Sequence, residues 1–355
     1  MHPAEISATI YIDEVPRFAE KELARLYGHI QSSLPFIQIF KFSGNISTYV
    51  ARQGNAPTAI LLFRAGKRSI VVLNETMQID QVELERFAAR IFARFPSVGV
   101  ISFKAVQAEF MDFPYPVQCG HAMENIFISL PATVAEYTGC LGKSTRSNLR
   151  YYKAKLEKDF SSFSFQSYEK KDIDEQLIYD LINLSKVRIS ARKFKFSISN
   201  EYAKCIVELA KLHGVVNVIL IDGQLCAGAI SYRIGADQTT EVIAHDEKFN
   251  SYSPGMLCFY LAICESISKG IKKYHMGGGR LPYKVSLLGV HQKMEQVEIY
   301  RPYWGKALNY DWILKAKIKV YLNRLRKWLR GHEANVMVQF LLQSRYAIRK
   351  MMKLE

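Results

Sequence analysis

"FNSYSPGMLCFYLAICESISKG", residues 249–270, sets a proline beside a glycine at the head of a long helix-compatible run. Pro254 suits a first helical turn because it has no N–H to lose there, and Gly255 lets a ligand approach the backbone closely. A helix entrance exposes unpaired N–H groups and the positive end of the macrodipole, so it binds phosphate without a charged side chain. The strand-like "TTEVIAHDE" (239–247) precedes this entrance and the shorter "KKYHMG" (272–277) follows it. Strand, tight loop, helix and strand in that order form a cradle for a pyrophosphate. Ser253-Pro254-Gly255 is also an ordinary capping sequence, so the entrance alone leaves both readings open.

The same element order extends upstream. Two helical stretches, "DEQLIYDLINLSKVRIS" and "NEYAKCIVELAKLHG", lead into "VVNVILID", a turn at Gly223, and "QLCAGAISYRI". Earlier, residues 46–75 give three β-rich runs broken at Gly54-Asn55 and Ala65-Gly66-Lys67, the pattern of an antiparallel meander. "QVELERFAARIFARFP" then spaces Val82, Phe87, Ile91 and Phe95 as one helical face, ends at Pro96 and precedes the strand "VGVISFKAV". Two halves with similar element order predict an internal structural repeat, in which only the second half carries the Pro-Gly entrance.

Composition bounds what such a chain does. At 355 residues it is long enough for two domains, and 49% hydrophobic against 23% charged residues is a globular balance. With 48 Lys and Arg against 33 Asp and Glu, the net charge of +15 favours acidic partners: phosphorylated cofactors, nucleic acid or anionic lipid. Six cysteines scattered without C-x-x-C spacing argue against a zinc site and a disulfide framework, and place the protein in a reducing cytoplasm. The N-terminal residues carry acids early and do not read as a secretory signal. The apolar run Met256–Cys264 falls far short of the roughly 20 residues that cross a bilayer.

Two basic segments stand out. Within "LGKSTRSNLRYYKAKLEKDF" (141–160), Lys143, Arg146, Arg150, Lys153, Lys155 and Lys158 lie on one predicted helix, which either meets phosphates or forms a solvated face. In residues 311–355, Lys and Arg outnumber Asp and Glu by 11 to 3. Leu314, Ile318, Tyr321, Leu325 and Leu329 fall near one face there, with Trp312 and Trp328 available for an interface. That tail reads equally as a helix packed on the protein with a wet basic face and as a contact with an anionic membrane surface. The boundaries follow: an N-terminal domain over 1–125, a second domain over 126–310 and a basic amphipathic tail over 311–355.

The stretch from about 143 to 290, with "FNSYSPGMLCFYLAICESISKGIKKYHMGGGRLPYK" and the basic "KSTRSNLRYYKAKLEK", resembles GNAT-type acyltransferases of the FemAB-like and CelD-like (cellulose-biosynthesis acetyltransferase) group. The resemblance implies a mixed α/β fold of tandem GNAT-like domains, the first degenerate and without a cofactor loop. It also implies acyl-CoA held by the backbone around Tyr252, Ser253, Pro254, Gly255 and Met256, and a thioester lying between the strands near 240–245 and 273–277. Tyr283 and Lys284 carry the family's Tyr-Lys pair, the tyrosine as donor to the leaving thiolate and the lysine as holder of an anionic group. Arg146 belongs to the basic helix that opens the domain. His275 and Arg280 depart from the family's acidic pattern, which bears on the acceptor side and on whether the domain is active.

Acyl transfer needs a base for the acceptor proton and a donor for the developing oxyanion. His245, at a strand end beside the cradle, has the intrinsic pKa for the base, with Asp246 as its orienter or substitute; the alternative is a structural histidine. The absence of G-x-S-x-G and of a P-loop favours direct transfer from a thioester over a covalent acyl-enzyme. The expectation is therefore a metal-free, acetyl-CoA-dependent N- or O-acetyltransferase of a sugar or amino-sugar in surface polysaccharide or glycolipid assembly. It is placed in the cytoplasm with possible peripheral contact at the inner membrane face. Two rivals stand beside it: transfer from aminoacyl-tRNA, which the FemAB-like resemblance also implies, and a non-catalytic scaffold of a polysaccharide-assembly complex.

Overall fold

The structure, a computed structural model, describes residues 6–41, 44–191, 196–279 and 281–302. The chain divides into two compact units, Met1–Ile299 and Tyr300–Glu355; nearly all of the second, including the basic tail, lies outside the described residues.

Strand β1 (Ile6–Tyr11) is followed by α1 (Ala19–Tyr27), α2 (Leu34–Lys41) and the meander β2 (Ser47–Gln53), β3 (Ala56–Ala65) and β4 (Ser69–Val72). A two-residue β5 (Met77–Gln78), α3 (Gln81–Arg94) and β6 (Val100–Gln107) come next, then the long β7 (Val117–Ser129). The later half begins with α4 (Val134–Cys140), α5 (Lys143–Asp159), β8 (Ser164–Glu169), α6 (Glu175–Ala191) and α7 (Asn200–His213). The second meander is β9 (Gly214–Ile221), β10 (Gln224–Ile234) and β11 (Asp237–His245). Helix α8 (Pro254–Ser268), β12 (Lys273–His275), α9 (Pro282–Ser286) and β13 (Val290–Tyr300) complete the described fold.

All strands join one 13-stranded sheet in the order β1-β2-β3-β4-β6-β13-β7-β12-β11-β10-β9-β8, with β5 beside β6. From either edge inward the succession is the same. An edge strand and an antiparallel meander lead to a parallel partner across a helix: β4 to β6 through α3, and β11 to β12 through α8. The pairs α1/α2 and α6/α7 occupy matching places between edge strand and meander. At the centre each half's final strand joins the other half: β7 pairs with β12, while β13 lies between β6 and β7.

Local chemistry explains the elements. The β9–β10 hairpin turns at Asp222-Gly223, both at positive φ (52° and 72°), the conformation that keeps a two-residue turn in step with strand twist. On α3 the buried stripe is Leu84, Phe87, Ala88 and Ile91, at i, i+3, i+4 and i+7. Val82, expected on this face, is 62% exposed, because it lies five residues and about 140° of helical rotation before Phe87. Helix α8 is apolar nearly all round and is buried accordingly, with Leu257, Phe259, Ile263 and Ile267 packed with Tyr274 of β12 and Leu149 and Leu156 of α5.

Candidate active site

Strands β11 and β12 run side by side only from Asp237–Lys273 to Thr239–His275. Beyond that, β11 continues with β10 as far as His245, whereas Met276 directs its N–H to Ile126 O at 2.7 Å. The two strands therefore part at Thr240. A bulge marks the parting: Ile230 faces Val242 but Ser231 faces Thr240, leaving Glu241 as the extra residue. Bulges of this kind re-aim a side chain. On the far side the chain turns through Gly277 (φ 70°), where a Cβ would also stand 3.3 Å from Thr240 O.

The entrance to α8 lies at the end of the β11 limb. Ser253 occupies the N-cap position at φ 46°, ψ 47°, in the left-handed region, and makes no side-chain cap bond. Asp80, Thr133 and Ser199, which cap α3, α4 and α7, are extended and each accepts an amide from the first turn. Leu257 N–H bonds Ser253 O at 3.1 Å, and Pro254 has no N–H, so the amides of Gly255 and Met256 make up the uncapped first turn. No acidic residue sits in that turn.

His245 covers the same turn. A Cβ on Gly255 would fall 2.7 Å from His245 Nδ1, so the glycine is needed to seat the imidazole. His245 Nε2 is 3.0 Å from Asn250 Oδ1, and Nδ1 is 3.3 Å from Arg188 Nη1 on α6. Arg188 can only donate, so Nδ1 accepts and Nε2–H donates: the ring is held as the neutral Nε2–H tautomer. Arg188 Nη2 also donates to Ile243 O at 3.1 Å, on the stretch of β11 that has left β12.

The remaining predicted residues take varied positions. Tyr252 donates to Asp159 Oδ2 at 2.9 Å, and Lys155 Nζ lies 4.5 Å from its ring centroid, so the basic helix α5 flanks the entrance. Asp246 accepts Lys248 N–H at 3.0 Å and caps the turn that leads to Ser253. Tyr283 packs 5.9 Å from Phe259; burial pushes its hydroxyl pKa up to about 12, with the Arg188 charge opposing. Lys284 is buried, donates to Gly277 O at 3.2 Å and Gly278 O at 2.6 Å, and has its pKa lowered to about 8 by burial. Arg146 donates to Gly139 O at 2.6 Å, tying α5 to α4. His275 lies on the paired part of β12, between Asn125 and Asp237 and 4.5 Å from the ring of His29; burial lowers its pKa despite Asp237. Arg280 lies outside the described residues.

The fold thus gathers Tyr252 through Met256 with His245 at the strand split and adds Arg188, which no motif marks. It also places Glu241 at the bulge, signalled in the sequence only by a lone acid within a β-branched strand. Cys226 and Cys258 are both buried, which raises their thiol pKa values, Cys226 to about 12, so neither is a ready thiolate. Among the described residues no group of three or more His, Cys, Asp or Glu is placed to hold a metal, and no helix is long and apolar enough to cross a membrane.

A family model described as an acetyltransferase (GNAT) domain matches residues 143–285, the span that holds the split strands and the α8 entrance. That span is similar to a GNAT domain. Its architecture is similar to that of FemX, with a TM-score of 0.62 and 9% identity over 86% of this chain and 99% of that one. A conserved protein of unknown function from Bacteroides thetaiotaomicron aligns at 0.53 and 9% identity, over 82% of this chain and 100% of that one. L-PGS from Bacillus licheniformis aligns at 0.50 and 14% identity, over 87% and 98%. At such identities the likeness concerns the fold. No curated protein sequence matches the chain.

Proposed function

We propose that this GNAT acyltransferase takes its acyl group from an acyl-CoA, acetyl-CoA in the first instance, and transfers it directly to an amine or hydroxyl of a sugar or amino-sugar. The observation that carries this reading is the α8 entrance: a left-handed Ser253, Pro254 without an N–H, and an uncapped first turn with no acid, set at the end of the β11 limb that has left β12. Two amides and the helix dipole there suit a pyrophosphate. Among the described residues the β11 edge beyond Thr240 meets no strand, which gives a pantetheine arm an edge to lie against beside the Ile243 carbonyl held by Arg188. Tyr283 and Lys284 as donor and anion holder, His245 or Asp246 as base, and Arg146, His275 and Arg280 toward the acceptor remain part of this proposal. So do the CelD-like affinity, the polysaccharide or glycolipid setting, the domain boundaries and the membrane contact of the tail.

Calorimetric titration of the full chain with acetyl-CoA tests the donor. The informative variant is Ser253→Asp, which tolerates a left-handed backbone, favours the helix dipole and repels phosphate. Binding that the variant weakens at least tenfold supports the cradle; equal binding by both proteins, or none by the unaltered one, overturns it.

A second reading, an aminoacyl-tRNA donor, is favoured by the basic α5 beside the entrance, where Tyr151 is 59% exposed and Lys155 lies over Tyr252. Its mark is salt dependence: binding to a nucleic acid backbone weakens steeply between 50 and 200 mM salt, roughly a thousandfold for six phosphate contacts. Titration of tRNA across that range separates the donors.

A further inference from the structure

The closed end of the strand split holds two buried histidines, one from each half. His275 is the last residue of β12 to pair with β11, opposite Thr239, and His29 lies in the link between α1 and α2. Their rings meet edge to face at 4.5 Å, and each residue is 4% exposed. Gly28 lets the link lie this close, since a Cβ there would fall 2.7 Å from Asp237 Oδ2. The hydrogen bonds fix both rings as neutral. The Asp237 carboxylate, 3.3 Å from His275 Nε2, only accepts, so Nε2–H donates and Nδ1 accepts from Asn125 Nδ2 at 3.1 Å. Asn125 Nδ2 also donates to Gln292 Oε1 at 3.1 Å, and Gln292 Nε2 to Gln107 Oε1 at 2.5 Å, a row that crosses β12, β7, β13 and β6. On the other side His29 Nδ1 accepts Gln31 N–H at 3.2 Å. Gln31 in turn accepts the Thr76 hydroxyl at 2.5 Å and Glu75 N–H at 3.3 Å, from the loop after β4.

A proton on either ring breaks this pattern. On His275 it turns Nδ1 into a donor facing the Asn125 amide hydrogens, and Asn125 Oδ1, 3.3 Å away, can accept it only if the amide turns from Gln292. On His29 it sets Nδ1–H against Gln31 N–H. Burial lowers both pKa values; the His275 and Lys273 charges add to this at His29, while at His275 Asp237 opposes and Lys273 adds. Amides alone would make the seam permanent, as between Gln107 and Gln292; imidazoles make it conditional. We propose that His29 and His275 form a proton-operated latch between the two halves, shut while both rings are neutral and released when either is protonated, so that acid frees the α1–α2 link from the closed end of the split. The latch needs no acyl donor and stands or falls apart from the reading above. Once released, the rings return toward the ordinary value of 6.5, so the open state binds more protons than the shut one. Opening is therefore insensitive to pH above that value and grows below it, by up to about tenfold per pH unit for each histidine that charges.

The test is amide hydrogen exchange of the full chain, followed by mass spectrometry across the histidine range and corrected for the pH dependence of intrinsic exchange. Peptides spanning residues 28–33 and 273–277 should lose protection about tenfold between pH 6.5 and 5.5, while the buried centre of β3, residues 59–63, keeps its own. The paired substitution His29→Asn with His275→Gln removes both titrating groups. Its asparagine oxygen keeps a cap for Gln31 N–H and its glutamine N–H keeps a donor for Asp237, so the seam should exchange at one corrected rate across this range. A merely structural role would instead raise exchange in the variant equally at every pH. Each single substitution should reduce the acid response, which keeps the test decisive if the paired variant does not fold. Seam protection unchanged down to pH 5.5 in the unaltered protein, an equal acid response in the variants, or loosening of β3 together with the seam overturns the latch.

Discussion

The two halves of the sheet build the same joint and finish it differently. In the first, β4 pairs with β6 from Ser69–Val100 to Val71–Ser102, and the loop that follows returns to β6 as β5, with Thr76 N–H on Ala105 O and Ile79 N–H on Gln107 O. In the second, the loop after β11 turns away through residues 246–253, and among the described residues the edge beyond Thr240 receives no strand. The helix entrances differ in the same sense. Asp80 caps α3, and the Glu83 carboxylate in its first turn accepts Tyr49 Oη at 2.6 Å and pairs with Arg86. The entrance to α8 has neither cap nor acid. The first joint supplies its own anion at the helix entrance and the second supplies none, so a common fold gives its two entrances different electrostatics.

Glu83→Ala attacks the closed joint and carries the largest expected effect. It removes the acceptor of a buried tyrosine and strands Arg86, and loss of one partner of such a pair costs about 3 kcal/mol. Thermal or denaturant unfolding should register that loss while acetyl-CoA affinity in the folded protein stays the same. A matching loss of affinity would mean that the first joint also takes part in binding. Gly255→Ala attacks the open joint: its methyl group would meet a ring held by both Arg188 and Asn250, and overpacking of this kind costs about 2 kcal/mol. Here stability and acetyl-CoA affinity should fall together, because the displaced imidazole lies over the entrance. If the variant is as stable as the parent, His245 is not fixed by that contact.

Ser253→Asp and Asp80→Ala make the sharper pair. Asp at 253 should cost about 1.4 kcal/mol of donor affinity, the tenfold loss already set out, while folding stability holds or rises by a few tenths of a kcal/mol through the dipole. Asp80→Ala should cost about 1 kcal/mol of stability with no change in affinity. Opposite signatures at equivalent helix positions would establish that the halves have diverged in role; like signatures would erase the distinction.

Much of this contrast was legible in the sequence. Element order gave away the repeat, because meanders punctuated by Gly54 and Gly223 and helices of period 3.6 are local patterns. Ser253-Pro254-Gly255 sets the α8 entrance apart from the other helix starts in the sequence. Long-range geometry was not legible. A bulge changes no residue type, so Glu241 looked like any acid in a strand; Arg188 meets Ile243 and His245 from more than fifty positions away. The contact between His29 and His275 depends on both halves being folded. A glycine at 255 implies room for a ligand, whereas the space beside it is filled by an imidazole that spacing alone does not place.

The smallest effect concerns how each joint secures its turn. The first uses backbone amides together with neutral side chains, Ser32 Oγ donating to Glu75 O at 2.7 Å and Asn74 Oδ1 accepting Leu62 N–H at 2.7 Å; the second uses the Lys284 ammonium, buried against Gly277 O and Gly278 O. Burial lowers the folded-state pKa of Lys284 to about 8 from 10.5. The folded protein therefore gives up this proton first, and between those values the unfolded chain holds more protons, so stability must rise with pH. The limiting slope for one proton is about 1.4 kcal/mol per pH unit, and near the lower pKa, where release is partial, the gain is about 1 kcal/mol from pH 8 to 9. Below about 8 both states are protonated and this contribution is flat. Lys284→Met removes the titrating group, and denaturant unfolding at pH 7, 8 and 9 should show the difference between variant and parent widening in that direction. A pH-independent difference would mean that the ammonium is solvated in the folded state, and that the glycine turn on the open side of the split is held by something other than a buried charge.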